Sequence, residues 1–144
     1  MKRLVQHILL TFLASLLILS CTDLDTGTDP DVNVSDFPWP RESYEAVWGS
    51  SAGNVFVVGT DGTILNFIGD DWGKMSSGTK QTLTGVWGAS GVQVFAIGMG
   101  GTILFYNGFF WDFMESPVNT NLTDIWGFGA REVYITGSAG HILR

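Results

Sequence analysis

Cysteine is almost absent from this sequence: of 144 residues only Cys21 carries a thiol. A lone cysteine excludes a disulfide framework within the chain. Positive charge is also scarce, with seven Lys and Arg against fourteen Asp and Glu and a net charge of −7. Binding nucleic acid takes a basic face that neutralises phosphates, so this balance argues against such a partner. Histidine is limited to His7 and His141, and His7 falls in the N-terminal segment read below as a signal. Neither a histidine-based metal site nor a Ser-His-Asp arrangement then has enough parts, and no metal or cofactor is expected. No 3.6-residue apolar periodicity runs along the chain, which disfavours a helical repeat. What is plentiful is glycine, 19 residues, and aromatic side chains, 13% of the total. That mixture belongs to a turn-rich β protein. The glycines sit where turns are expected and form no phosphate-cradling loop of the P-loop type.

The dominant feature is a repeat. Trp48, Trp87 and Trp126 stand 39 residues apart, as do Gly59, Gly98 and Gly137, and Ile64, Ile103 and Ile142. Residues 44–82 and 83–121 are identical at 15 of 39 positions, and a third copy begins at Leu122 and reaches Arg144 within its third strand. A fixed period of this length marks a supersecondary unit that stacks because it cannot bury its apolar faces alone.

Each copy reads as four short strands. The first is Tyr44 to Gly49, repeated at Leu83 to Gly88 and Leu122 to Gly127. The second is Val55 to Val58, repeated at Val94 to Ile97 and Val133 to Thr136, and its unbroken apolar character suits a strand covered on both faces. The third is Thr63 to Phe67, then Thr102 to Tyr106, then His141 to Arg144; the fourth surrounds Trp72 and Trp111. Asp61-Gly62, Gly100-Gly101 and Asn107-Gly108 supply residues that tolerate φ > 0 at tight hairpins. Stacked four-stranded units of this length are blades of a β-propeller. The expected fold is therefore all-β, an incomplete propeller of about three four-stranded blades: 44–82, 83–121 and 122–144, within a repeat region of 37–144. The strings V-W-G-x-S at Val47, V-F-x-x-G at Val55, G-T-I-L at Gly62 and the tryptophan at Trp72 resemble the propeller repeats of bacterial envelope lipoproteins. More distantly they resemble the BNR-type repeats of the photosystem II assembly-factor family and of sialidase-like glycosidases. The sialidase Asp-box is not met: Thr60-Asp61-Gly62 has Gly100 and Ala139 where the other copies would need an aspartate.

The start of the chain has a different character. Lys2 and Arg3 precede an apolar run from Ile8 to Leu19 that ends at Ser20-Cys21, the layout of a secretory signal. Ile18-Leu19-Ser20-Cys21 resembles a lipobox, which implies that Cys21 is the lipid attachment site and the acylated mature N-terminus. An ordinary signal peptide or an uncleaved anchor is the alternative, although the run is short for a spanning helix of about 20 residues. Residues 22–36 carry Asp23, Asp25, Asp29, Asp31 and Asp36 without a basic residue, as an extended acidic tether would. Asp29 to Asn33 place oxygens at alternate positions, but Val34 and Pro40 stand where an EF-hand loop needs glycine and glutamate. Threonine, not aspartate, follows Cys21, which in enteric-type sorting points toward the outer membrane or cell surface.

Two complete blades and part of a third fall short of a closed ring, which takes at least four. Phe37-Pro38-Trp39-Pro40 offers a further strand of the fourth type, its prolines suited to an edge. The expectation is a truncated copy of a longer propeller; a homo-oligomer that completes the ring is the other reading.

The recurrent tryptophans read as packing between blades, each able to bury on the order of 200 Å². The departures from the repeat are more informative for function. Phe109 and Phe110 replace Asp70 and Asp71, and Phe113 replaces Lys74, giving an apolar binding surface if exposed. Asp61, Asp112, Glu115, Asp124 and Glu132 are expected to be scattered over loops, with no spacing that argues for a paired acid and base. The function expected is a lipid-anchored, non-enzymatic binding or scaffolding module of the bacterial envelope, with a protein or glycan ligand. The alternatives are a glycan-binding or glycosidase-like propeller fragment and, on resemblance alone, an assembly factor.

Overall fold

The computed structural model describes residues 42–144; Cys21, the 22–36 tether and Phe37-Pro38-Trp39-Pro40 lie outside the described residues. Each copy of the repeat is a meander of antiparallel strands. The first holds β1 (Tyr44–Ser51), β2 (Asn54–Gly59), β3 (Ile64–Ile68) and β4 (Asp71–Met75). The second holds β5 (Leu83–Ser90), β6 (Gln93–Gly98), β7 (Ile103–Tyr106) and β8 (Trp111–Phe113). The third holds β9 (Leu122–Gly129), β10 (Glu132–Gly137) and β11 (Ile142–Leu143). The described residues are all-β, forming three open antiparallel sheets of four, four and three strands.

Register repeats along with sequence. Trp48 lies opposite Phe56, Trp87 opposite Phe95, and Trp126 opposite Tyr134. Each of these strand pairs carries register shifts near its two ends, so the irregularities are as periodic as the tryptophans. The sheets stack in chain order and approach most closely through their first strands, β1 on β5 and β5 on β9.

Strand alternation divides the core into two layers. Phe56, Val58 and Ile64 point from the first sheet into the gap with the second, where they meet Val86, Val94, Ala96, Leu104, Tyr106 and Trp111. Phe95, Ile97 and Ile103 leave the other face of the second sheet and meet Leu122, Ile125 and Ile135 of the third. The second sheet is thus covered on both faces, which is why β6 is apolar at every position from Val94 to Ile97. Trp111 Nε1 is buried without a hydrogen-bond partner among the described residues. Leaving that donor unmade costs about 1–3 kcal/mol, against which stands the area its ring buries.

Turns between the second and third strands follow one pattern. Thr63 N–H donates to the Thr60 carbonyl at 3.0 Å, and between them Asp61 and Gly62 take φ of 52° and 66°. Two successive residues at φ > 0 make the two-residue connection that matches strand twist. Gly100-Gly101 repeats it, and so does Ala139-Gly140, with Ala139 held at φ 60°. Alanine has no side-chain oxygen to ease that conformation, which disfavours it by roughly 1–2 kcal/mol. Ala139→Gly is expected to raise stability by about 0.5–1 kcal/mol after the added freedom of the unfolded chain is subtracted. A urea midpoint that does not rise would remove strain at this turn from the account.

Candidate binding surface

The hairpin turn between β7 and β8 is built to hold aromatic rings in water. Asn107 Oδ1 accepts the N–H groups of Phe109 and Phe110 at 3.0 and 3.1 Å. The Asn107 N–H donates to the Phe110 carbonyl at 3.3 Å, and the Tyr106 hydroxyl donates to the Gly108 carbonyl at 2.9 Å. Four hydrogen bonds therefore fix a turn whose tip carries Phe109, 87% exposed, and Phe110, 56% exposed. The corresponding turn of the first sheet carries Asp70 and Asp71, both exposed. Val92, on the neighbouring β5–β6 turn, lies 3.1 Å from the position a Cβ on Gly108 would take and is itself exposed. Phe109, Phe110 and Val92 thus belong to one end of the second sheet. Phe113 is exposed too, but a Cβ on Gly78 would lie 3.3 Å from its ring. It belongs to the edge beside the first sheet, away from the turn tip.

A groove elsewhere on the described residues was not anticipated from sequence. An open groove of 450 Å³ lies between the connection that follows β8, Met114 to Pro117, and the β10–β11 side of the third sheet. Phe95, Ile103, Val133, Ile135 and Leu143 give it an apolar lining, and Glu115, Arg131 and Arg144 add charge. Arg144 is engaged there by Glu132 at 3.5 Å and lies 5.9 Å from the Tyr134 ring centre. Among the described residues the third sheet has no fourth strand: Trp111 meets Phe56 edge-on at 6.0 Å in the preceding layer, and Phe95, the counterpart of Phe56, faces the groove instead.

The carboxylates occupy separate places, and Asp112, Asp124 and Glu132 lie on strands where loops were expected, because exposed edges and outer faces of the sheets accept charge. Asp61 is in the β2–β3 turn, Asp112 on β8, Glu115 after β8, and Glu132 on β10. Asp124 uses Oδ1 to accept the Ile125 N–H at 2.9 Å. His141 closes the third turn, its Nδ1 2.8 Å from the Ser138 carbonyl oxygen and 3.3 Å from Thr120 Oγ1. Among the described residues no helix is long and apolar enough to cross a membrane. No protein-family model, curated protein or solved structure matches the chain.

Proposed function

We propose that this chain is a lipid-anchored, non-enzymatic binding or scaffolding module of the bacterial cell envelope, built from β-propeller blades. The observation that carries the binding role is the turn at Asn107, where aromatic rings are held out by hydrogen bonds. Burying exposed rings on a partner is favourable, and a turn already ordered has little conformational entropy left to lose. The propeller reading draws on repeated meanders that come closest at their first strands. The anchor reading draws on the lipobox-like Ile18-Leu19-Ser20-Cys21 and the acidic stretch behind it. Two acyl signals are enough for stable membrane attachment, which would leave the repeats projecting on the tether.

Both halves can be tested in one bacterial host. The full chain should incorporate labelled palmitate and fractionate with membranes, and Cys21→Ala should abolish the label. Replacing Phe109 by a photoreactive phenylalanine should give a discrete cross-linked species that Phe110→Asp eliminates. Label retained by Cys21→Ala would sink the anchor, and cross-linking indifferent to Phe110 would sink the aromatic turn as the contact.

A further inference from the structure

We propose that the two end faces of the stack are complementary, and that the first sheet of a second copy of this chain docks on the third sheet of the first. The chain displays the contact twice within itself. The ring of Trp48 lies over Gly88, where a Cβ would come within 2.5 Å of it, and the ring of Trp87 lies over Gly127, where a Cβ would come within 2.8 Å. Glycine at these positions is what allows an indole to lie on the backbone of the next sheet. Among the described residues each end of the stack holds one unmatched half of the pair. Trp126 is 53% exposed, with no following sheet to receive it among the described residues. Among the described residues the three atoms nearest the Cβ position of Gly49, the counterpart of Gly88 and Gly127, belong to its own hairpin: Asn54 O, Val55 Cγ2 and Ser51 O.

The flanking positions repeat the argument. Ile64 and Ile103, on the forward faces of the first and second sheets, are 0% and 7% exposed, while Ile142 in the third is 73% exposed. Val86 and Ile125, on the backward faces of the second and third sheets, are 7% and 6% exposed, while Val47 in the first is 67% exposed. The forward face of the third sheet also presents Phe128 and Tyr134, whose rings meet edge-on with centres 6.5 Å apart. One operation, the step from each sheet to the next, carries Trp48 to Trp87 to Trp126 and Gly49 to Gly88 to Gly127. Applied once more, it seats Trp126 on Gly49 of a second copy and covers Ile142 and Val47 together. Such a contact is heterologous, joining two different faces, so it builds rings or chains and not an isologous pair. It depends on the repeat geometry alone, not on the anchor or on the aromatic turn.

Val47→Asp and Ile142→Asp each place a charge on one end face, at residues so exposed that the isolated chain should fold as before. The full chain is purified in mild detergent with each variant beside it, and mass is measured by light scattering with the detergent contribution subtracted. Wild type should associate with rising concentration. Each variant alone should stay monomeric, because every molecule then lacks the same face. An equal mixture should form a dimer and nothing larger, since one variant keeps the forward face and the other the backward face. A monomeric wild type would overturn the proposal, whether another protein or other residues of the chain cover these faces. So would variants that still associate alone, or a mixture that fails to pair.

Discussion

Gly101→Ala should cost roughly 2–4 kcal/mol, a large fraction of the stability of a small domain. Gly101 sits at φ 74°, and a Cβ there would overlap the Val118 carbonyl oxygen and approach Val118 C at 3.0 Å and Asn119 Cα at 3.1 Å. The first effect, an L side chain in the left-handed region, costs about 1 kcal/mol. The second cannot be relieved by turning a side chain, because the obstacle is main chain. Movement of residues 116–119 would disturb the Ser116 hydroxyl, which donates to the Val118 carbonyl at 2.8 Å and accepts the Val118 N–H at 3.4 Å. Forcing volume into packed structure costs about 1–3 kcal/mol more. The third copy separates the two effects: Gly140 has φ 75° but nothing within 4 Å of its Cβ position, so Gly140→Ala should cost only about 1 kcal/mol. Urea unfolding of the two variants, read at equal slope, checks the ordering. Equal losses would mean that backbone conformation, and not the approach of the Val118 carbonyl, requires glycine at Gly101.

The same comparison shows why some of the fold was legible in the sequence. Strand order, the all-β class and the turns between second and third strands could be read because they are local and recur: Gly62, Gly101 and Gly140 announce the same φ > 0 position three times. At Asn107-Gly108, by contrast, only Gly108 takes φ > 0, and the turn is a longer one closed by the Asn107 side chain. The aromatic turn was legible for the opposite reason. Phe109 and Phe110 break a pattern that Asp70 and Asp71 keep, and a departure from a repeat stands out against it. The hydrogen bonds that Asn107 Oδ1 accepts, which hold those rings apart from the sheet, were not legible, because Ile68 takes that position in the first copy and no periodic signal marks it. Nor could sequence separate Phe113 from the turn tip. Its closeness to Gly78 depends on how the first and second sheets approach each other, a distance no local pattern encodes. The groove beside β11 was only implied by a missing strand; the convergence of Phe95, Ile103 and Ile135 on it is a consequence of packing. Residue size is a poor guide to burial in this repeat. Trp87 is the most conspicuous residue of the central repeat but is half-buried, whereas Phe56 is 1% exposed.

Phe56→Ala is accordingly the core substitution with the largest expected cost, about 3–5 kcal/mol. The ring joins the first sheet to the second, with centres 5.5 Å from Tyr106, 6.0 Å from Trp111 and 6.3 Å from Trp48. Truncation would leave a cavity between sheets whose surrounding rings cannot collapse without dragging their strands. Phe95 is the same position one repeat later, but it lines the groove, so water can reach the space that truncation opens. Phe95→Ala should therefore cost less, on the order of 2–3 kcal/mol. Location should differ as well as size. In a stack whose sheets contact only their neighbours, stability is a sum of sheet terms and interface terms. Weakening the first interface should free the first sheet, and weakening the second should free the third. Amide exchange read by mass spectrometry ought to show Phe56→Ala accelerating β1 to β4 well beyond β9 to β11, and Phe95→Ala doing the reverse. Equal acceleration in all three sheets, in either variant, would mean that the stack opens only as a whole and that the interfaces do not act as separate units.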